Sequence, residues 1–377
     1  MRLAVFQNGD EPELASTAVL LRAAGYDVKY CGPTLRKALT DAGCDTVLSV
    51  EHMYALGYDR LDPTIGPASL EDMERCDLFL EIKVRNIPKI IARWPRLAKR
   101  IAWKRVNGSC PEICPKGGDE VNLPCPVITA CLWYGTDRYR HGKAIQPQSS
   151  DEHLASRAVT LQDHLAAAAD IQLHDTESMA YVFWPPYPRS GEYDRIDRSG
   201  LSRFDPPFGV CHNVYAWGYR DLVDRCVQSY GCRFHGNGSP AGQVPHSAVP
   251  GIAARALAMV HLKSVDCPGW ALYEALLAGC PVVTGRLLNS RMLAYGLLED
   301  GVTCYEFGVP ATLEYGRGDP DLEKCFTDIG AALEKLRDPA ENRRVGEAGR
   351  KRLNDLMWSE RRDGDSFRAF LARHFGG

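Results

Sequence analysis

Asp266 and Glu274 stand on either side of a Pro268-Gly269 break in the stretch SVDCPGWALYEALLAGCPVV, from Ser264 to Val283. The segment before them, Val260 to Lys263, reads as a strand, and Pro268-Gly269 reads as the opening of a helix. Open parallel sheets bind ligands at the carboxyl ends of their strands, where loops lead into helix N-termini. The first free amides of such a helix, near Gly269, Trp270 and Ala271, combine with its dipole to favour an anion such as phosphate. Glu274 follows about one turn later, within reach of a neutral polar group beyond that phosphate. A diphosphate flanked by hydroxyl-bearing groups, which is the chemistry of a nucleotide sugar, satisfies all three elements. The plain alternative makes Asp266 a helix cap and Glu274 a solvated surface acid.

Other residues extend this pattern. His235-Gly236-Asn237-Gly238 follows a short strand, and glycines there permit close backbone approach to a ligand, although an ordinary turn uses them equally well. Asn8-Gly9-Asp10 follows the first strand, so Asp10 is either an acid facing a ligand or a helix cap. His212 falls near the end of another expected strand, either near the expected diphosphate or in the core. Cys110, Cys114, Cys125 and Cys131 lie close in sequence, but the first pair is spaced C-x3-C rather than C-x2-C. With 14 cysteines scattered through strands and helices, reduced thiols are expected and no dedicated metal site.

Positioning these residues requires parallel sheets. In the first half, strands are expected at Leu3 to Phe6, Val28 to Cys31, Val47 to Val50, Asp77 to Val84, Arg100 to Val106, Val127 to Leu132 and Ile171 to His174. Helices are expected at Leu14 to Ala24, Thr34 to Ala42, Ala155 to Ala169 and from Thr176. Between Phe183 and Pro207 proline, glycine and charge make a linker. Alternation resumes with strands at Gly209 to Asn213, Arg233 to His235, Val260 to Lys263 and Pro281 to Thr284. Helices are expected at Tyr219 to Ser229, Ser247 to Ala258 and Trp270 to Ala278, and from Asp321 to Phe375 nearly throughout. The expected fold class is α/β, with two doubly wound Rossmann-like domains: 1–185, a linker 186–207, 208–356, and a C-terminal helix 357–377 packing back toward the first. A chain of 377 residues with 45% hydrophobic content and a net charge of −3 is globular and neither disordered nor a single-sign polyelectrolyte. Its start shows no signal peptide, so a cytoplasmic location is expected. The first strand is not followed by G-x-G-x-x-G, which disfavours a nicotinamide dehydrogenase.

Asp266, Gly269, Glu274, Ala275, Gly279, Pro281, Val282 and Val283 resemble the C-terminal-domain motif of GT-B glycosyltransferases, especially the retaining family 4 enzymes. VPHSAVPGIAARALAMVHL and LRDPAENRRVGEAGRKRLNDLMWSERRDGDSFRAFL resemble the neighbouring helices of that family. The resemblance covers the chain from Gly209 onward and is mainly topological before it. It implies that Glu274 accepts hydrogen bonds from ribose hydroxyls, that Asp266 holds a hydroxyl of the transferred sugar, and that the Gly269 and Trp270 amides meet the diphosphate. It also implies a nucleotide-sugar donor, with a UDP-sugar first, transfer with retention, and His246 and Ser247 near the nucleobase. Ser247 also reads as a helix cap. The chain departs from the family in having Asp266 where Glu is usual. It also lacks the Arg and Lys common after the first C-terminal strand, where this chain reads CHNVYAWGYRD. Lys263 is the first candidate to balance the leaving diphosphate, followed by Arg286 and Arg220, each with a plain reading as a surface cation.

Lys83, Arg85, Lys89, Arg93, Arg96, Lys99, Arg100, Lys104 and Arg105 fall in one 23-residue run that holds no acid and includes Trp94 and Trp103. Arg138, Arg140, His141 and Lys143 extend it. The resemblance implies that this half of the chain handles the acceptor, and such a run then suits a polyanionic one. One acceptor is a hydroxymethylated pyrimidine in DNA, with cations on phosphates and an aromatic beside a displaced base. Another is a lipid-linked or polysaccharide acceptor at an anionic membrane, with Ile90, Ile91 and Leu97 facing the interface. A solvated helix face is the third reading. Among other functions, a nucleotide-sugar epimerase and a non-catalytic DNA-binding protein remain open.

Overall fold

In the computed structural model the described residues are 2–6, 11–45, 47–56, 58, 61–83, 86–105, 125–129, 179–181, 193–210, 220–236, 238–239, 241–262, 269–285, 297–308, 322–357 and 360–376. They divide into two compact units, the first drawing on the early part of the chain and its last helix, the second on the part between.

The first unit is built on a parallel sheet of β1 (Arg2–Phe6), β2 (Tyr26–Cys31), β3 (Pro67–Ala68), β4 (Leu78–Glu81), β5 (Ile101–Arg105), β6 (Val127–Thr129) and β7 (Met179–Tyr181). Its strand order is β3-β2-β1-β4-β5-β6-β7, so the winding reverses between β1 and β4. Helices α1 (Glu11–Ala23), α2 (Pro33–Asp41), α3 (Val50–Ala55), α4 (Leu70–Arg75) and α5 (Ile87–Arg93) belong to the same unit. Alternate strand residues point to opposite faces, and each face finds its own core. Ala4, Phe6, Leu78, Leu80 and Ala102 enter one cluster, whereas Val5, Phe79, Ile101 and Trp103 enter the other. The first cluster is completed by Phe367, Phe370, Leu371 and Phe375 of the last helix, α11 (Glu360–Phe375).

The second unit carries β8 (Phe208–Val210), β9 (Arg233–His235), β10 (Met259–His261), β11 (Val282–Gly285) and β12 (Tyr305–Phe307), in the order β12-β11-β10-β8-β9. All its pairings are parallel, and its winding reverses between β8 and β10. Its helices are α6 (Arg220–Tyr230), α7 (Val249–Arg255), α8 (Gly269–Leu277), α9 (Leu322–Leu336) and α10 (Pro339–Leu356). Glycine is required within β8: a Cβ on Gly209 would stand 2.5 Å from the Phe234 ring and 2.7 Å from the Val260 carbonyl.

Several expected elements differ. Val47 to Val50 is not a strand; Val50 begins α3, with Ser49 at its N-cap and Glu51 in its first turn. A four-residue apolar run is too short for periodicity to separate the two. Met179–Tyr181, expected within a helix from Thr176, pairs in parallel with β6 as the sheet's last strand. Ser247 to Ala258 is divided between a 3-10 turn, His246–Ala248, and α7. The expected helix Ala155 to Ala169 and strand Ile171 to His174 lie outside the described residues.

Candidate functional site

The second unit's sheet reverses its winding beside β10, and crevices of that kind are where open α/β sheets take ligands. Two buried polar side chains meet there: His261 Nδ1 lies 3.0 Å from Thr284 Oγ1 across the β10–β11 pairing. Neither was singled out from sequence, because each is one polar residue within an apolar strand. α8 starts at Gly269, and five residues on, Glu274 is fully buried. It is therefore not a solvated surface acid. A carboxyl group taken out of water requires hydrogen bonds, and the Tyr193 hydroxyl donates one to Glu274 Oε1 at 3.2 Å.

Tyr193 comes from the proline- and glycine-rich segment expected to be a linker, and side chains of α10 hold its backbone. Arg350 donates to the carbonyls of Tyr193 at 2.6 Å and Ile196 at 3.0 Å. A few residues on, Arg198 donates to the carbonyls of Ala253 and Ala256 and to Asn342 Oδ1. Asn342 in turn donates to the carbonyls of Leu257 and Leu336. The described part of that segment thus packs onto the second unit.

Of the other residues expected at the site, Gly236 has φ +135°, in the region that favours glycine. His235 before it is buried, which with Arg233 nearby lowers its ring pKa, so the imidazole is neutral at pH 7. His246 lies half-buried in the 3-10 turn. Ser247 does not cap α7, whose N-cap is Ala248 without a side-chain bond. Arg220 is an exposed cation 3.8 Å from Asp224, as its plain reading has it. Trp270 and Ala271 lie in the first turn of α8. Asp266, Lys263, Arg286, His212 and Asn237 lie outside the described residues, as does Asp10 in the first unit.

In the first unit the reversal between β1 and β4 places Glu81 at the carboxyl end of β4, where it is fully buried. Its Oε1 accepts from the Lys83 amide at 2.7 Å and from Asn86 Nδ2 at 3.3 Å. Asn86 also exchanges two hydrogen bonds with the Asp45 backbone, at 2.8 and 3.0 Å. Burial pushes the Glu81 carboxyl up to about 8, so it is neutral at pH 7. No sequence reading selected it, although an acid inside the apolar run DLFLEIKV was the available signal.

Three cations of the run are occupied by the protein itself. Lys89 donates to the Gly43 carbonyl at 2.6 Å and lies 3.5 Å from Asp45; Arg96 pairs with Glu74 at 3.0 Å; Arg100 donates to the Cys76 carbonyl at 3.1 Å. Lys83 is half-buried, while Arg93 and Lys99 are exposed. Lys104 and Arg105 close β5, and Arg85 lies outside the described residues. Two expectations fail on burial. Trp94 and Trp103 are buried, and Trp103 Nε1 donates to the Ile82 carbonyl at 2.9 Å, so neither ring stands beside a displaced base. Ile90 and Leu97 are fully buried and Ile91 packs against the same cluster, so these residues do not face a membrane. Among the described residues no helix is long and apolar enough to cross one.

The described cysteines are all buried and unbridged. Cys125 is among them, its thiol pushed up to about 12 by burial, while Cys110, Cys114 and Cys131 lie outside the described residues. No group of three His, Cys, Asp or Glu side chains among the described residues could hold a metal ion.

No protein-family model matches the sequence, and no curated protein matches it. Solved structures do resemble the fold. HepE of Anabaena, solved in complex with UDP and glucose, superposes with a TM-score of 0.52 at 11% identity, over 99% of this chain and 100% of that one. A glycosyltransferase from Rickettsia africae superposes with a TM-score of 0.50 at 10% identity, over 99% and 98% of the two chains. The two parallel-sheet units thus have the GT-B fold.

Proposed function

We propose that the protein is a glycosyltransferase that moves a sugar from a nucleotide-sugar donor, a UDP-sugar, to an acceptor hydroxyl. One observation carries the reading: Glu274 is buried on the helix that opens behind the carboxyl end of β10, hydrogen-bonded rather than solvated, at the position where the motif needs an acid. The GT-B fold supports it, as does the presence of UDP and glucose in the HepE structure.

In this reading the second unit takes the donor. The amides of Gly269, Trp270 and Ala271 meet the diphosphate, Glu274 receives the ribose hydroxyls, and Asp266 holds a hydroxyl of the sugar. Lys263, supported by Arg286, balances the charge that develops on the departing diphosphate. Gly236 and Asn237 allow close backbone approach, and His246, Ser247 and His212 complete the donor surroundings. The bond from the anomeric carbon to the phosphate oxygen breaks and a bond from that carbon to the acceptor oxygen forms, with retention. The acceptor proton passes to the departing diphosphate. The first unit takes the acceptor, with Asp10 on its side. Exposed Arg93 and Lys99 support a polyanion there, a hydroxymethylated pyrimidine in DNA being the class they fit. Burial of Ile90 and Leu97 removes the apolar part of the support for a membrane-docked acceptor.

The test is to incubate the protein with UDP-glucose and other nucleotide sugars, together with hydroxymethylated or unmodified DNA, and to weigh the products. A hexose or pentose gained only by hydroxymethylated DNA is expected. Donor breakdown with no glycosylated product would replace the transferase with an epimerase. Binding of DNA with no donor affinity would leave a DNA-binding protein. Glu274→Gln, still folded, should lose about tenfold in UDP affinity.

A further inference from the structure

We infer that Tyr193 is a positioning residue for the donor: its hydroxyl sets the Glu274 carboxyl group in the orientation that receives the ribose diol. The inference rests on the donor reading above and extends it to a residue outside the motif.

Glu274 is fully buried and Tyr193 nearly so, and the 3.2 Å bond between them joins residues 81 positions apart. A glutamate side chain has a soft terminal torsion, so its two oxygens rotate unless something fixes them. Recognition of two vicinal hydroxyls depends on where those oxygens point, and a misdirected carboxyl group loses the second hydrogen bond. A donor on Oε1 removes that freedom.

The donor is itself immobilised. Ile196 N–H donates to the Tyr193 carbonyl at 3.1 Å, closing a turn, and Arg350 grips the Tyr193 and Ile196 carbonyls from α10 with two nitrogens of one planar guanidinium. α10 also lies directly against α8: a Cβ on Gly349 would meet Leu276 Cδ2 at 2.6 Å. Arg350, Tyr193 and Glu274 therefore form one continuous connection from α10 through an irregular segment to α8. Among the described residues, this is how a chain segment with no helix or strand of its own delivers a hydroxyl to a fixed point.

Tyr193→Phe keeps the ring and removes only the hydroxyl. Calorimetric binding of UDP and of 2′-deoxy-UDP would be compared in the wild type, Tyr193→Phe, Glu274→Gln and the double variant, each confirmed folded by its thermal transition. The wild type is expected to prefer UDP by about tenfold. Tyr193→Phe should lose most of that preference, weakening UDP while barely changing 2′-deoxy-UDP, and should add nothing on top of Glu274→Gln. Arg350→Gln, which leaves the hydroxyl in the chain and loosens its seat, should reproduce part of the loss. A wild-type preference that survives Tyr193→Phe, or an equal loss for both ligands, overturns the positioning role and leaves the donor reading standing. Equal wild-type affinity for both ligands overturns the ribose role of Glu274 and this inference with it, and no UDP binding at all overturns the donor reading.

Discussion

Glu81 and Asn86, both shut off from solvent, share a hydrogen bond of 3.3 Å at the carboxyl end of β4. The acid is neutral there because burial raises its pKa from 4.5 to about 8. An unfolded chain gives up that proton near 4.5, so between the two values the folded state holds more protons than the unfolded state. The stability that the neutral carboxyl contributes is complete below 4.5 and is lost as the pH rises through about 8. Glu81→Gln keeps a neutral hydrogen-bonding group and cannot ionise. Its melting temperature should therefore gain on that of the wild type as the pH is raised from 5 toward 8 (~1 kcal/mol or more by pH 8). Parallel pH profiles for the two proteins would show that Glu81 is ionised in the fold.

Arg198 reaches the carbonyls of Ala253 and Ala256 and the side chain of Asn342 at once. Arg198→Ala leaves acceptors in the second unit without their donors and should destabilise that unit by about 2–3 kcal/mol, seen as an earlier unfolding transition in urea. Arg198→Lys should recover less than half of the loss, since a single ammonium cannot span the same three acceptors. A wild-type transition in Arg198→Ala would mean that water replaces the guanidinium without cost.

The exposed cations of the basic run can be separated from those used internally. Replacing Arg93 and Lys99 together by alanine should lower affinity for DNA and reduce the slope of log affinity against log salt by about 1–2, while leaving the melting temperature nearly unchanged. Replacing Arg96, which pairs with Glu74, should change the slope less. Filter binding across a salt series decides between them.

Phe370 has no exposure and lies among Phe6, Leu80 and Phe367 in the core of the first unit. Phe370→Ala should cost about 3–5 kcal/mol. The loss belongs to the first unit, so hydrogen exchange should rise in β1 and β4 while β10 and β11 stay protected. Equal protection throughout would place the helix outside the core.

Much of the fold was legible because its strands are short apolar runs bounded by turn residues. The bounds expected for β9, Arg233 to His235, are those found, and the Pro-Gly break correctly opens α8 at Gly269. α4 is too short to show a helical period, although its capping box is in the sequence: Ser69 and Asp72 bond each other's backbone amides. The strand Met179–Tyr181 could not be read locally, because three residues become a strand only when β6 lies beside them. At the candidate site the acid Glu274 was legible from its motif, while its partner Tyr193 was not. Nothing within a few residues of Tyr193 indicates a hydrogen bond to a helix 81 positions away. Glu81 escaped for a related reason, since acids in strand-like runs usually mark an exposed edge, and only the assembled sheet puts this one under cover.

The last helix has a consequence for the order of events during synthesis. Phe367, Phe370, Leu371 and Phe375 fill a cluster whose other members, such as Ala4, Phe6 and Leu14, leave the ribosome hundreds of residues earlier. Domains commonly fold as they emerge, and α1 and α3 can cover part of that face of the first sheet early, yet the share filled by the last helix stays open until translation has passed through the entire second unit. The later unit can be finished first, and the nascent first sheet is the part of the molecule that a chaperone has most time to meet.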